Sequence, residues 1–278
     1  MKFFFSAFLM LFSIFSFSQL NLTLQSNVTF EGSGNDIWGY VAPDGSEYAI
    51  VGTTIGTRVY SLEDVTNPVE LIFIPGSNST WRDMKQWGEY AYVTCDSGND
   101  GLLIIDMSEA PSNIEFNFIK PVVKDGDNDI ALDRCHNIFI DENGIIMLAG
   151  CQGRGVEFFD PSDDPMNPTY LASIVSPYSH DAYAKGDTLY ASEIYDHLAM
   201  YDISDLDNIQ LLGTRETSSD FTHNAWADPT HNYVFTTDER PEGFVDAYDC
   251  SDPQNIELLD KFMPPGLAGT GTIPHNTH

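Results

Sequence analysis

The sequence predicts an all-β fold, a β-propeller built from four-stranded blades. Three observations carry that reading. A strand–turn–strand segment recurs at near-constant spacing, the same turn residues fall at the same offsets in the copies, and no helical periodicity is sustained after the first eighteen residues. Ser61, Asp106, Asp160, Asp202 and Asp249 mark one register of the segment, at intervals of 45, 54, 42 and 47. A repeat of that length holding only strand-like runs is the signature of propeller blades.

The chain opens with an address. Lys2 precedes an apolar run from Phe3 to Phe17, and Ser16-Phe17-Ser18 offers small residues for cleavage before Gln19. Residues 1–18 are therefore expected to be a secretory signal peptide. The run is shorter than the roughly 20 residues that span a bilayer, and no later segment is apolar enough to span one. Residues 19–278 form the propeller domain.

Five units read as complete, at about 37–75, 81–120, 135–176, 179–214 and 222–262. The fourth shows the pattern best. Asp181 to Ala184 is strand A, Lys185-Gly186-Asp187 a turn, Thr188 to Ser192 strand B, Leu198 to Asp202 strand C and Ile209 to Thr214 strand D. Val, Ile, Phe and Tyr fill strands while Gly, Asp, Asn and Pro fill gaps. After strand C, Asp and Ser oxygens accept backbone N–H groups and Pro pre-sets φ. Residues 20–30 are expected to be an outer strand that closes the ring. A sixth unit begins near His275. Five blades and a fragment leave open sheet edges, so the expectation is a chain incomplete at its C-terminus, from a propeller of seven blades.

Composition narrows the function. Twelve basic against 42 acidic residues give a net charge of −30, which repels nucleic acid and anionic lipid. Hydrophobic residues at 42% suffice for a core and exclude global disorder. Export permits disulfides. Among Cys95, Cys135, Cys151 and Cys250, the pair Cys135 and Cys151 flanks a hairpin turning at Asp141-Glu142-Asn143-Gly144. They are placed to bridge, with Cys95 as a competing partner.

Leu102-Leu-Ile-Ile-Asp106 resembles the Leu-Val-Ile-Val-Asp repeat. With the signal peptide, Trp81-Arg82-Asp83 and the serial His-Asn and His-Asp pairs, the chain resembles the extracellular choice-of-anchor B family of bacterial proteins. The resemblance implies a secreted or cell-surface propeller with a variable C-terminal anchoring segment. It implies no enzymatic activity.

Four histidines share one register at the start of strand A: His136, His180, His223 and His275, with Arg82 and Asp83 equivalent in the second unit. Strand A lines a propeller's channel, and the ends of strand B lie on the same rim. Those ends carry Asp96, Gln152, Glu193 and Asp238. Two readings of the series stand. Each His is a structural bolt whose ring N–H bonds a backbone carbonyl or a turn Asp and so ties the loop before strand A to the blade. Alternatively His136, His180, His223, Glu193 and Asp238 hold a transition metal or supply acid–base pairs. A calcium loop is a further candidate at Asp125, Asp127 and Asp129, which alternate as oxygen ligands do. Gly150 to Gly155 is glycine-rich but opens no helix, so it reads as a turn.

The reading is a monomeric surface propeller that binds an extracellular ligand or protein. The alternative is a metal-dependent hydrolase or lyase working on the histidine-bearing rim.

Overall fold

A computed structural model describes residues 22–277. The signal-peptide segment and His278 lie outside the described residues. Five four-stranded antiparallel sheets follow one another along the chain, each with its strands in sequence order. Blade 1 holds β1 (Gly34–Val41), β2 (Glu47–Thr53), β3 (Gly56–Ser61) and β4 (Val69–Pro75). Blade 2 holds β5 (Met84–Trp87), β6 (Tyr90–Val93), β7 (Leu102–Asp106) and β8 (Glu115–Ile119). A separate hairpin, β9 (Val122–Asp125) with β10 (Asn128–Ala131), accounts for the long interval between Asp106 and Asp160. Blade 3 holds β11 (Asn137–Ile140), β12 (Ile146–Ala149), β13 (Val156–Asp160) and β14 (Thr169–Ile174). Blade 4 holds β15 (Asp181–Lys185), β16 (Thr188–Glu193), β17 (His197–Asp202) and β18 (Gln210–Arg215). Blade 5 holds β19 (Thr222–Ala227), β20 (Tyr233–Asp238), β21 (Val245–Asp249) and β22 (Glu257–Phe262).

Blades pack face to face, and β7 shows why its first four residues, Leu102 to Ile105, are all apolar. Successive side chains of a strand point to opposite faces. Leu103 and Ile105 enter the core shared with blade 1, beside Ile50 and Val59. Leu102 and Ile104 enter the core shared with blade 3, beside Ile138 and Leu148. A strand buried on both faces cannot alternate with polar residues. Similar cores join blades 3 and 4 and blades 4 and 5.

The turns between the third and fourth strands obey one local rule. Asp106, Asp160, Asp202 and Asp249 each accept the backbone N–H two residues on, from Ser108, Ser162, Ser204 and Ser251, at 2.8–3.0 Å. The Ser204 and Ser251 side chains, and then these N–H groups, hold the Asp202 and Asp249 carboxyls below the ordinary carboxylate range. Part of the acidic excess is thus turn chemistry. The Asp141 turn works likewise, its carboxylate accepting from Asn143 and Ile145. Cys135 and Cys151 at the base of that hairpin are joined in a disulfide, while Cys95 and Cys250 are buried thiols.

One expectation needs correction. Residues 22–30 form no strand and are mostly exposed, so they do not extend a sheet. Near the other end, His275 to Thr277 runs beside β19 without a backbone ladder of its own and is held by side chains.

Ile104 is fully buried. Ile104→Ala is expected to cost about 2–5 kcal/mol, whereas Leu259→Ala on exposed β22 should stay within about 0.5 kcal/mol. Urea denaturation of both variants measures the difference.

Candidate functional site

The first strands of the five blades converge on a cavity of about 260 Å³. Each belongs to a different sheet, so no backbone ladder joins them. Buried N–H and C=O groups still need partners, and the His-Asx pairs provide them. Asp83 Oδ2 accepts from the Ile138 N–H at 3.0 Å and Asn137 Oδ1 accepts from the Ala182 N–H at 3.3 Å. Asn224 Oδ1 accepts from the Thr277 N–H at 2.8 Å. Each bond reaches from one unit to the next.

The imidazoles run parallel to this row. Ring centroids of His136 and His180 are 4.0 Å apart, those of His180 and His223 4.3 Å, and those of His223 and His275 4.3 Å. Nδ1 of His180 lies 3.2 Å from the carbonyl oxygen of His223, and Nδ1 of His223 lies 2.9 Å from that of His275. A carbonyl only accepts, so both Nδ1 atoms carry the proton. The bolt therefore ties a blade to its neighbour rather than to itself. His136 departs from the series, with Nδ1 3.4 Å from Asp96 Oδ2. Gly150 makes room for it: at φ 66° it is left-handed, and a Cβ there would stand 3.0 Å from His136 Cβ and 3.2 Å from the Ser179 carbonyl. Arg82, in the histidine register of blade 2, is buried and donates to the Ser77 carbonyl at 2.6 Å.

Deeper in the cavity the Asx side chains touch one another. Asn137 Nδ2 donates to Asp83 Oδ2 at 2.6 Å and to Asp181 Oδ2 at 3.1 Å. Asn224 Nδ2 donates to Asp181 Oδ2 at 3.3 Å. Lys85 Nζ bonds Asp83 Oδ1 at 2.9 Å and sits 4.7 Å from the Trp38 ring centroid. Asp36 completes the row through a hydrogen bond with Asp83. Burial, then the Asp83 charge, pushes both Asp36 and Asp181 up to about 7. Burial pushes Asp83 up too, but the Lys85 ammonium and the Ile138 N–H outweigh it and hold that carboxyl low. Burial, then the neighbouring imidazoles, lowers His180 to about 2. Burial, then His275, lowers His223 to about 4. Both rings are neutral at pH 7.

Glu193 and Asp238 do not join this group. Glu193 Oε1 accepts from the Tyr201 hydroxyl at 2.8 Å, and its Oε2 lies 2.8 Å from His197 Nε2. Asp238 accepts from the Thr217 hydroxyl at 2.5 Å and from the Ser219 N–H at 2.6 Å. Neither lines the cavity. Just past the end of β20 it is the next residue, Glu239, that faces His223 and His275. The calcium candidate lies in the β9–β10 hairpin, away from the channel. Asp125 pairs with Arg154 at 3.2 Å, Asp129 pairs with Lys124, and exposed Asp127 sits in the turn between β9 and β10. Sequence reasoning missed Asp36, Lys85, Asp181 and Glu239. The Asx that follows each register histidine was the available signal.

The depressed His223 has a consequence for stability. Between pH 6.5 and about 4 the unfolded chain binds a proton there that the folded chain refuses. Stability from this group is therefore complete above pH 6.5 and falls as pH falls, by up to ~1.4 kcal/mol per pH unit. His223→Asn lacks the group, and the raised acids Asp36 and Asp181 are common to both proteins. The stability gap between wild type and variant should narrow from pH 7 to pH 4 in urea titrations. A gap independent of pH would contradict the assignment.

No family model matches the chain, and no curated protein matches it. Solved structures do. A candidate 6-phosphogluconolactonase of Bacteroides uniformis is similar with a TM-score of 0.59 and 12% identity, over 80% of this chain and 70% of that one. A functionally unknown protein of Desulfotomaculum acetoxidans gives 0.57 and 13%, over 84% and 71%. PorZ, an essential surface component of the type-IX secretion system of Porphyromonas gingivalis, gives 0.55 and 12%, over 73% of this chain and 30% of PorZ. At such identities the likeness is one of fold: the chain is a β-propeller, and the choice-of-anchor B resemblance rests on its motifs.

Proposed function

We propose that the chain is an exported β-propeller of a bacterial surface, and that its channel cavity binds a small organic cation. The export reading rests on residues 1–18. PorZ, a surface component, offers a parallel for the setting. Among the described residues no helix is long and apolar enough to cross a membrane.

One observation carries the ligand class. Lys85 already shows what the cavity accepts: an ammonium bonded to a carboxylate and held over an indole. Asp36 and Asp181 lack such a partner in full and retain protons near neutrality. Trp81, Tyr183 and Trp226 line the same cavity. A ligand amine would ionise these acids and lie against aromatic faces. The hydrolase or lyase reading has less support, because Glu193 and Asp238, its acid–base candidates, are bonded elsewhere.

Calorimetry with choline, spermidine and glucose tests the proposal. The amines are expected to bind and glucose is not. Amine affinity should rise with pH through about 7, as Asp36 and Asp181 ionise, by up to ~10-fold per unit on the acid side. Asp181→Asn keeps one acceptor oxygen and should weaken amine binding about 10-fold or more. Equal binding of glucose, or amine affinity flat in pH, would sink the reading.

A further inference from the structure

The rim holds a second chemistry at its last two histidines. Nδ1 of His223 donates to the His275 carbonyl at 2.9 Å. With the Nδ1 proton engaged by that carbonyl, Nε2 is the ring atom left to offer a lone pair. That Nε2 lies 3.6 Å from Glu239 Oε2, and His275 Nε2 lies 3.8 Å from Glu239 Oε1. The three donor atoms all lie within 4.8 Å of one another.

These separations are too long for hydrogen bonds. The carboxylate faces both imidazoles and bonds neither. Zinc bonds of about 2.0–2.1 Å at tetrahedral angles place donors ~3.3 Å apart. Small side-chain movements would bring the three to that spacing. We propose that His223, His275 and Glu239 form a three-donor site for a divalent transition metal of the zinc class, leaving one coordination position for water or a ligand. Two imidazoles and one carboxylate suit such a metal, whereas calcium asks for six to eight oxygens. The bond from His223 Nδ1 to a backbone carbonyl is the outer contact that orients a ligating imidazole. The site uses none of the acids invoked for the organic cation, so either proposal can fail alone.

The test uses the full chain, stripped with chelator and titrated with Co²⁺ and Zn²⁺. Expected are one equivalent bound and the visible absorption of low-coordinate cobalt. His275 and Glu239 have side chains 57% and 34% exposed, so His275→Ala and Glu239→Gln should fold, as circular dichroism would verify. Each should weaken binding beyond the ~10–100-fold that loss of an outer-shell partner costs. His197→Ala, whose imidazole pairs with Glu193, should bind as wild type. If one variant does not fold, the other decides. Weak binding of several equivalents by the acidic surface, or variants that bind as wild type, would overturn the site.

Discussion

Where blades converge on a channel, their innermost strands come close without sharing a ladder. Their buried backbone groups must be satisfied by side chains, and much else follows from that constraint. Asp83, Asn137 and Asn224, each at the head of a first strand, accept from the next unit's N–H, and His180 and His223 donate to the next unit's carbonyl. Apolar faces between blades supply the bulk of the burial. Non-directional packing alone would let blades slide. The directional bonds fix how far each advances toward the axis, and so fix the cavity.

Meeting that demand with carboxylates crowds like charges where water is scarce. Asp36, Asp83 and Asp181 cannot all ionise cheaply in one enclosure. Lys85 settles Asp83, and protons settle the rest. The His180 and His223 imidazoles face the converse problem and remain neutral. A row of groups placed for architecture thereby becomes a row of groups with labile protons and free lone pairs. Structural bolting and ligand chemistry are not rivals here, because Nδ1 serves the first and Nε2 is left for the second.

The fold was legible because blade signals are local. Strand ends in blade 4 fall within about a residue or two of those expected from composition and turn residues, and Cys135 and Cys151 meet across the hairpin that the Asp141 turn defines. The site was only half legible. Register put the histidines together, since one residue per repeat lands on one ring. It could not settle which carboxylates joined them. The β19–β20 pairing shifts register between Thr222 and Asn224, which changes what the end of β20 presents. Glu193 was claimed by Tyr201 and His197 through contacts that no spacing rule encodes. The acidic run at Asp125 read as an ion loop by alternation, yet Gly126 at φ 57° turns it into a hairpin whose acids find cations.

Five of the bonds around the channel share one direction. The acceptors Asp83, Asn137 and Asn224 and the donors His180 and His223 each serve a backbone group of the unit that follows in the chain. Such a series has the grammar of a translational repeat. Inserting or deleting one whole blade offers each donor and acceptor the same counterpart as before. Inserting half a blade strands one of each in a dry interior, at a cost of about 1–3 kcal/mol per group. Length variation in this architecture is therefore quantised: whole blades can be gained or lost without stranding these groups, and an insertion such as β9–β10, set between the sheets of blades 2 and 3, leaves them untouched.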